Sequence, residues 1–260
     1  KIYKSIDNGQ TWNESIEILT TNDGVHDCWA YRNNISGNDG KIHMGVNLTF
    51  HDAGYGYHES FYLESEDGAV WQNIDGSFSK NIETEGMITL AELETNCRVG
   101  YDADPANTRY LVAGCQSPSG KMYLIQIDSN PKHGTDNHWY LRYWEDSEWK
   151  KIEITGVLNS ELDPLWEENV WSIYSYSDTE FYIFVTKMET KRELQRWRTV
   201  NKGQTWIKAE DITKNSEFDH QIIEMTMNPV DANSIVIASS YLIHDDYADI
   251  KIAQYKKIVI

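Results

Sequence analysis

Short aromatic-rich runs grouped by fours, a turn octapeptide that occurs twice, and no sustained helical period predict an all-β chain. The predicted architecture is a β-propeller of four-stranded antiparallel blades, forming one domain over residues 1–260. A chain of 260 residues can bury a sizeable core as a single domain. Ten Trp and sixteen Tyr with only five Pro suit packed short strands better than a disordered chain. The formal charge of −18 repels phosphate and anionic lipid, which argues against nucleic acid as a partner. No apolar run approaches the ~20 residues that span a bilayer, so membrane insertion is not expected. The chain starts at Lys1 with no signal segment, and the expectation is either a processed form or a piece cut from a longer protein. Cys28, Cys97 and Cys115 have no CxxC spacing and are expected to be buried free thiols.

The octapeptides are SIDNGQTW at residues 5–12 and TVNKGQTW at 199–206. Each lies between two extended runs, as a hairpin turn should. Asp7 or Asn201 can accept backbone N–H groups two residues on, and Gly9 or Gly203 supplies a positive φ. Ser5 or Thr199 adds a hydroxyl bond, and Trp12 or Trp206 covers the turn with a large ring. A degraded third copy, ESEDGAVW at residues 64–71, keeps the spacing of Gly68 and Trp71.

Taken in order, residues 15–21 read as a strand and 22–27 as a polar turn. One blade follows in WAYRNNIS, the turn GNDG, KIHMGVNLTF, a Gly-rich loop, ESFYLES, and VWQNI after EDGA. Residues 97–155 hold one strand too many for a blade: RVGYDA, RYLVAGC, KMYLIQI, HWYLRYW and KKIEIT. Either one belongs to a neighbour or the blade has an extra strand. A third unit runs through VWSIYSYS, EFYIFVT, LQRWRT and, after the second octapeptide, IKAEDIT. The last has IIEMTMN, SIVIASSYLI, DIKIAQY and KKIVI. Four units and the opening strands make about five blades. The opening strands either complete the last blade or follow blades that precede Lys1.

The two octapeptides resemble the Asp-box, or bacterial neuraminidase repeat, of sialidase-like β-propellers. Residues 40–76 resemble a blade of a bacterial neuraminidase-repeat family related to ulvan lyases and rhamnosidases. There His43, His58, Glu59, Tyr62, Ser65, Gly68, Trp71 and Gly76 fall in step with the family pattern. RVGYDA and the stretch 194–229 match further patches. The resemblance implies six or seven blades in the complete ring, a secreted or periplasmic protein, and action on polysaccharide. It also implies that the boxes sit on the face away from the substrate. Thr49 and Tyr57 stand where the family has Arg and Asn, and Glu224-Met225 where it has Arg-Arg. Those departures remove cations that would pair with a uronate. A sialidase would need an Arg-Ile-Pro element and an Arg triad, and this chain has seven Arg and no such element.

In each blade, the loop entering the innermost strand and the loop between the second and third strands share one face. Those loops hold His26, His51, His58, His220 and His244, beside Glu59, Tyr55, Tyr57, Asp219, Asp245 and Asp246. Clustered imidazole, phenol and carboxylate suit proton transfer near neutral pH. The catalytic candidates are therefore His26, His58, Glu59, His220 and Tyr57. The substrate-binding candidates are Arg32, His51, Tyr55, Arg98 and Tyr101. Plainer roles stand beside each: His43 a satisfied structural histidine, His58-Glu59 a loop-fixing bond, Arg98 an ion-pair partner. No cofactor is expected. Calcium or zinc at a His/Asp cluster such as His244-Asp245-Asp246 would have no spacing motif behind it. The expected activity is that of a polysaccharide lyase or glycoside hydrolase, in a monomer, with an oligo- or polysaccharide as partner. The alternative is a propeller that binds glycan or protein without catalysis.

Overall fold

The computed structural model describes residues 3, 5, 7, 9–13, 15–20, 28–35, 37–50, 57–100, 108–130, 136–159, 168–215, 220–231, 234–242 and 250–259. Within these, residues 28–34, 50, 57–58, 108, 129–130, 136 and 220–259 are described by their backbone alone. The described strands form four antiparallel sheets. The first contains β1 (Cys28–Ile35), β2 (Ile42–Phe50), β3 (Tyr57–Ser65), β4 (Val70–Gln72) and β5 (Ser79–Asn81). The second contains β6 (Thr108–Gln116), β7 (Met122–Asn130), β8 (Asp136–Glu145) and β9 (Glu148–Glu153). The third contains β10 (Asn169–Ser175), β11 (Phe181–Met188), β12 (Arg192–Thr199) and β13 (Ile207–Asp211). The fourth contains β14 (His220–Asp231), β15 (Ser234–Leu242) and β16 (Ile250–Val259). Every sheet runs in simple sequence order, and the first strands β1, β6, β10 and β14 are neighbours in succession. This is the radial stacking of a propeller, with the first strand of each blade innermost.

Blades need both faces apolar because each is covered on two sides. β2 is buried without a break from His43 to Thr49. One apolar layer, with Ile35, Tyr62, Val99, Leu111 and Leu124, joins the first sheet to the second. Another, with Ile125, Trp139, Leu141, Phe181, Ile183 and Trp206, joins the second to the third. Polar pairs cross the same joints. Asn47 donates to Leu111 O at 2.8 Å and accepts from Leu111 N at 2.7 Å, stitching β2 to β6. At the other end of that joint, Gln116 donates to Asp39 at 2.9 Å, and Ser117 and Ser119 each donate to Asp178 at 2.6 Å across the next.

The surplus strand in residues 97–155 is resolved by register. Tyr62 N donates to Cys97 O and Val99 N to Ser60 O, both at 2.9 Å, so 97–99 runs along β3. β4 covers only Glu64 and Ser65 of that strand. The fourth position of the first blade is thus filled by two pieces, with residues 73–96 as an excursion between them. That excursion contains β5 and one short helix, α1 (Leu90–Asn96), neither of which the strand pattern predicts. Thr89 and Glu92 form a reciprocal capping box, and Leu90 and Leu93 are its buried face. Residues 15–20 make only isolated bridges, Leu19 pairing parallel with Ile88, where a strand is expected. The last sheet has three strands because 250–259 continues as one.

In all three similar turns a hydroxyl accepts from the glycine N–H, while in the degraded copy Asp67 accepts from Ala69 N and Val70 N, two and three residues on. Gly9 N donates to Ser5 Oγ at 2.7 Å, Gly203 N to Thr199 Oγ1 at 3.0 Å, and Gly68 N to Ser65 Oγ at 2.8 Å. Asp7 and Asn201 accept from Thr11 N and Thr205 N, four residues on rather than two. Asp7 is held down at about 2, foremost by the Thr11 hydroxyl. His43 has its expected structural role: its side chain is fully buried, with Nδ1 2.6 Å from the Tyr62 hydroxyl and Nε2 2.9 Å from Asp39. Cys97 and Cys115 are buried free thiols, and burial pushes Cys97 up to about 12.

Candidate functional site

Strand register defines the two ends of the sheets. Cys28, Phe50 and Tyr57 fall together at one end, as do Thr108, Ser129 and Asn137, then Asn169, Thr186 and Leu194. The turns at 66–69 and 200–206 lie at the other. β6 slips register at mid-strand, between Leu111 and Ala113, while near the first end two more of the innermost strands slip, β10 between Val170 and Ser172 and β14 between His220 and Ile222. β3 does the same. Leu48 pairs with Glu59 and Thr49 with Tyr57, which leaves His58 as the extra residue of a bulge. A bulge bends its strand and re-aims the side chains beside it, which is why bulges recur beside functional sites.

Next to that bulge, the Glu59 carboxylate lies 2.6 Å from Arg98 Nε, and Glu94 on α1 lies 3.9 Å from Arg98 Nη2. The split fourth strand makes this pair: residue 98 bridges Phe61 and so stands beside β3. Burial raises Glu59 above the ordinary carboxylate range, against the opposing pull of Arg98 and then Arg109.

A second charged cluster occupies the adjoining face of the second sheet. Asp128 lies 4.0 Å from Arg109 Nε and 3.7 Å from Arg142 Nη2. Arg142 Nε donates to Gln126 at 2.7 Å, and Gln126 donates to Val99 O at 3.2 Å, tying the cluster to the split strand. Arg109, Asp128 and Arg142 are all buried. Gly100 has φ +68, and a Cβ there would stand 2.6 Å from Arg142 Cζ, so glycine lets the guanidinium pass. On the same sheet His138 Nδ1 is 2.8 Å from Glu153.

The structure thus brings Glu59 and Arg98 together as an ion pair. It places Tyr57 and His58 at the start of β3, His220 at the start of β14, and Arg32 inside β1 opposite Val46, all as backbone positions. His26, His51, Tyr55 and Tyr101 lie outside the described residues, as do Asp27, Asp219, His244, Asp245 and Asp246. Arg109, Asp128 and Arg142 were not among the sequence candidates. Their one signal is Arg inside strands otherwise rich in apolar and aromatic residues, RYLVAGC and HWYLRYW, where a charge needs a buried partner. Among the described residues, no group of three or more His, Cys, Asp or Glu is placed to hold a metal.

No protein-family model and no curated protein matches the sequence. Solved structures do match its shape. An ulvan lyase, described as a polysaccharide lyase bound to -[GlcA(1-4)Rha3S]-, superposes with a TM-score of 0.71 and 10% identity. That superposition covers 99% of this chain and 58% of the lyase. A second ulvan lyase structure gives 0.67 at 11% identity, covering 91% of this chain and 55% of that one. A Hadza microbial sialidase gives 0.54 at 13% identity, covering 92% and 46%. The chain therefore spans a little over half the length of these lyases and has their fold.

Proposed function

We propose that this chain is a neuraminidase-repeat propeller of the ulvan-lyase type that cleaves a uronate-containing polysaccharide outside the cell by β-elimination. The observation that carries the reading is the bulge at His58, set directly beside the Glu59–Arg98 pair at the end where β10 and β14 also slip register. The likeness to ulvan lyases supports it at the level of fold. In the proposed step, His58 or His220 takes the proton α to the uronate carboxylate, the bond from the β carbon to the glycosidic oxygen breaks, and a carbon–carbon double bond forms. Tyr57 returns a proton to the leaving oxygen. The carboxylate needs a cation to stabilise the charge that develops on it, a role assigned to Arg98 and Arg32. His26, His51, Tyr55 and Tyr101 complete the proposed mouth.

A second reading, hydrolysis, rests on Glu59, a carboxyl beside the His58 bulge that burial shifts upward, the direction a general acid needs. The two are separated by incubating the chain with acidic polysaccharides. Ultraviolet absorbance of an unsaturated uronate reports elimination, and new reducing ends without it report hydrolysis. Elimination should fall about 10²- to 10⁴-fold in His58→Ala, while Glu59→Gln should spare the double-bond signal. Loss in Glu59→Gln with reducing ends alone selects hydrolysis. Glycan binding with neither product makes the chain a binding propeller.

A further inference from the structure

The excursion 73–96 builds something the ring itself does not need. Between its loop, the end of α1 and the β8–β9 hairpin lies a cleft of about 170 Å³ on the flank of the first two blades. At roughly 30 Å³ per water, that is room for about five or six waters, the size of a single sugar ring. Trp144 and Trp149 line it, their rings 5.5 Å apart at 73° to each other, and Trp149 is braced edge-on against Tyr62. Asp75 and Asn96 line the same cleft, and Thr95 borders it from the helix. Asp75 is held ionised by the Ser77 hydroxyl and N–H.

Indole faces beside carboxylate and amide acceptors are the chemistry that recognises a pyranose. The C–H face of the sugar stacks on the ring, and its hydroxyls donate to the oxygens. The charge around the cleft selects which pyranose. Asp75 is an anion, and Arg98, the one cation among the described lining residues, is held by Glu59 toward the His58 end, where the proposed reaction uses it. In a chain of net charge −18, a uronate or a sulfated sugar would meet repulsion there. We propose that this cleft is a second glycan subsite that takes one uncharged pyranose unit. It would hold a neutral residue of the same polymer whose acidic residue is processed at the His58 end, so in that part it rests on the function proposed above.

The test uses the whole chain and two probes, methyl rhamnoside as the neutral sugar and methyl glucuronoside as the acidic one. Binding is read by tryptophan fluorescence and by saturation-transfer NMR. The neutral glycoside should bind in the millimolar range and the acidic one more weakly. Thr95→Arg, an exposed change that fills the cleft, should abolish the neutral signal. Trp144→Ala should weaken it about three- to ten-fold, with circular dichroism confirming the fold of both variants. His58→Ala should leave it intact. A neutral signal lost in His58→Ala but kept in Thr95→Arg would place the sugar at the other site and overturn the cleft while sparing the enzyme. A neutral signal sensitive to Thr95→Arg in a chain with no polysaccharide cleavage would keep the cleft and overturn the enzyme. No neutral binding, or binding indifferent to both Thr95→Arg and Trp144→Ala, overturns the inference.

Discussion

At the scale of single residues, buried polar groups decide how the blades join. Asn47 is wholly buried, and its amide serves both the N–H and the C=O of Leu111 in the neighbouring sheet. Removing the amide takes a hydrogen bond from two backbone groups of a buried residue at once. Asn47→Leu should therefore cost about 2–4 kcal/mol, and Ser60→Ala, which removes only a donor to Asn47, about 1 kcal/mol. Denaturant unfolding checks both: the midpoint should fall with the slope unchanged. Asn47 lies in a strand whose other residues read as core, so the sequence marks it only as a polar break in KIHMGVNLTF. Its partner 64 residues away in the chain emerges from packing alone.

At the scale of elements, one turn sequence meets three environments. Trp71 is 1% exposed, Trp206 9% and Trp12 62%, although in each turn a hydroxyl accepts from the glycine N–H. Hydrogen bonds within a turn are local and follow from the residues, whereas a neighbour for the indole depends on the adjoining sheet. Gly203 shows the consequence. It has φ +87, and a Cβ there would lie 2.9 Å from Leu141 Cδ2 of the second sheet, while Gly40, at φ +82, has open space around its Cβ position. Gly203→Ala should cost about 2–3 kcal/mol and Gly40→Ala about 1 kcal/mol, measured as a difference in unfolding midpoints. The helix α1 was hidden for a related reason. Its capping box TLAE is legible once sought, but seven residues are too few for a period to stand out.

At the scale of the whole molecule, the carboxylates bonded across the joints between blades predict a loss of stability in acid. Burial opposes ionisation of Asp39, yet hydrogen bonds from Lys41, Gln116 and His43 outweigh it and hold it at about 2, below its ordinary 3.8. Asp178 at the next joint is lowered as well, burial again opposing and Ser117 and Ser119 prevailing. A depressed carboxyl binds fewer protons folded than unfolded, so its stabilisation is present above the unfolded pKa and lost as pH falls through the folded one. Thermal stability should therefore drop between about pH 4 and 2, and Asp39→Asn with Asp178→Asn should flatten that slope. Glu59 has the opposite sign. Its raised pKa contributes stability below the unfolded value that is lost as pH rises through the folded value, and Glu59→Gln removes that dependence.

The sequence by itself determined the all-β class, the main strands of the first three blades and the bond from the turn glycine to the Ser or Thr hydroxyl. Those depend on residue spacing and on hydrogen bonds that reach only a few positions along the chain. Only the tertiary structure decided that residues 97–99 complete the first blade, that Glu59 meets Arg98, and that Arg109, Asp128 and Arg142 share one buried cluster. Each of those pairs is set by how sheets stack and where a strand bulges. A charge can be kept from water only where the fold brings its partner, and no local pattern records which partner that will be.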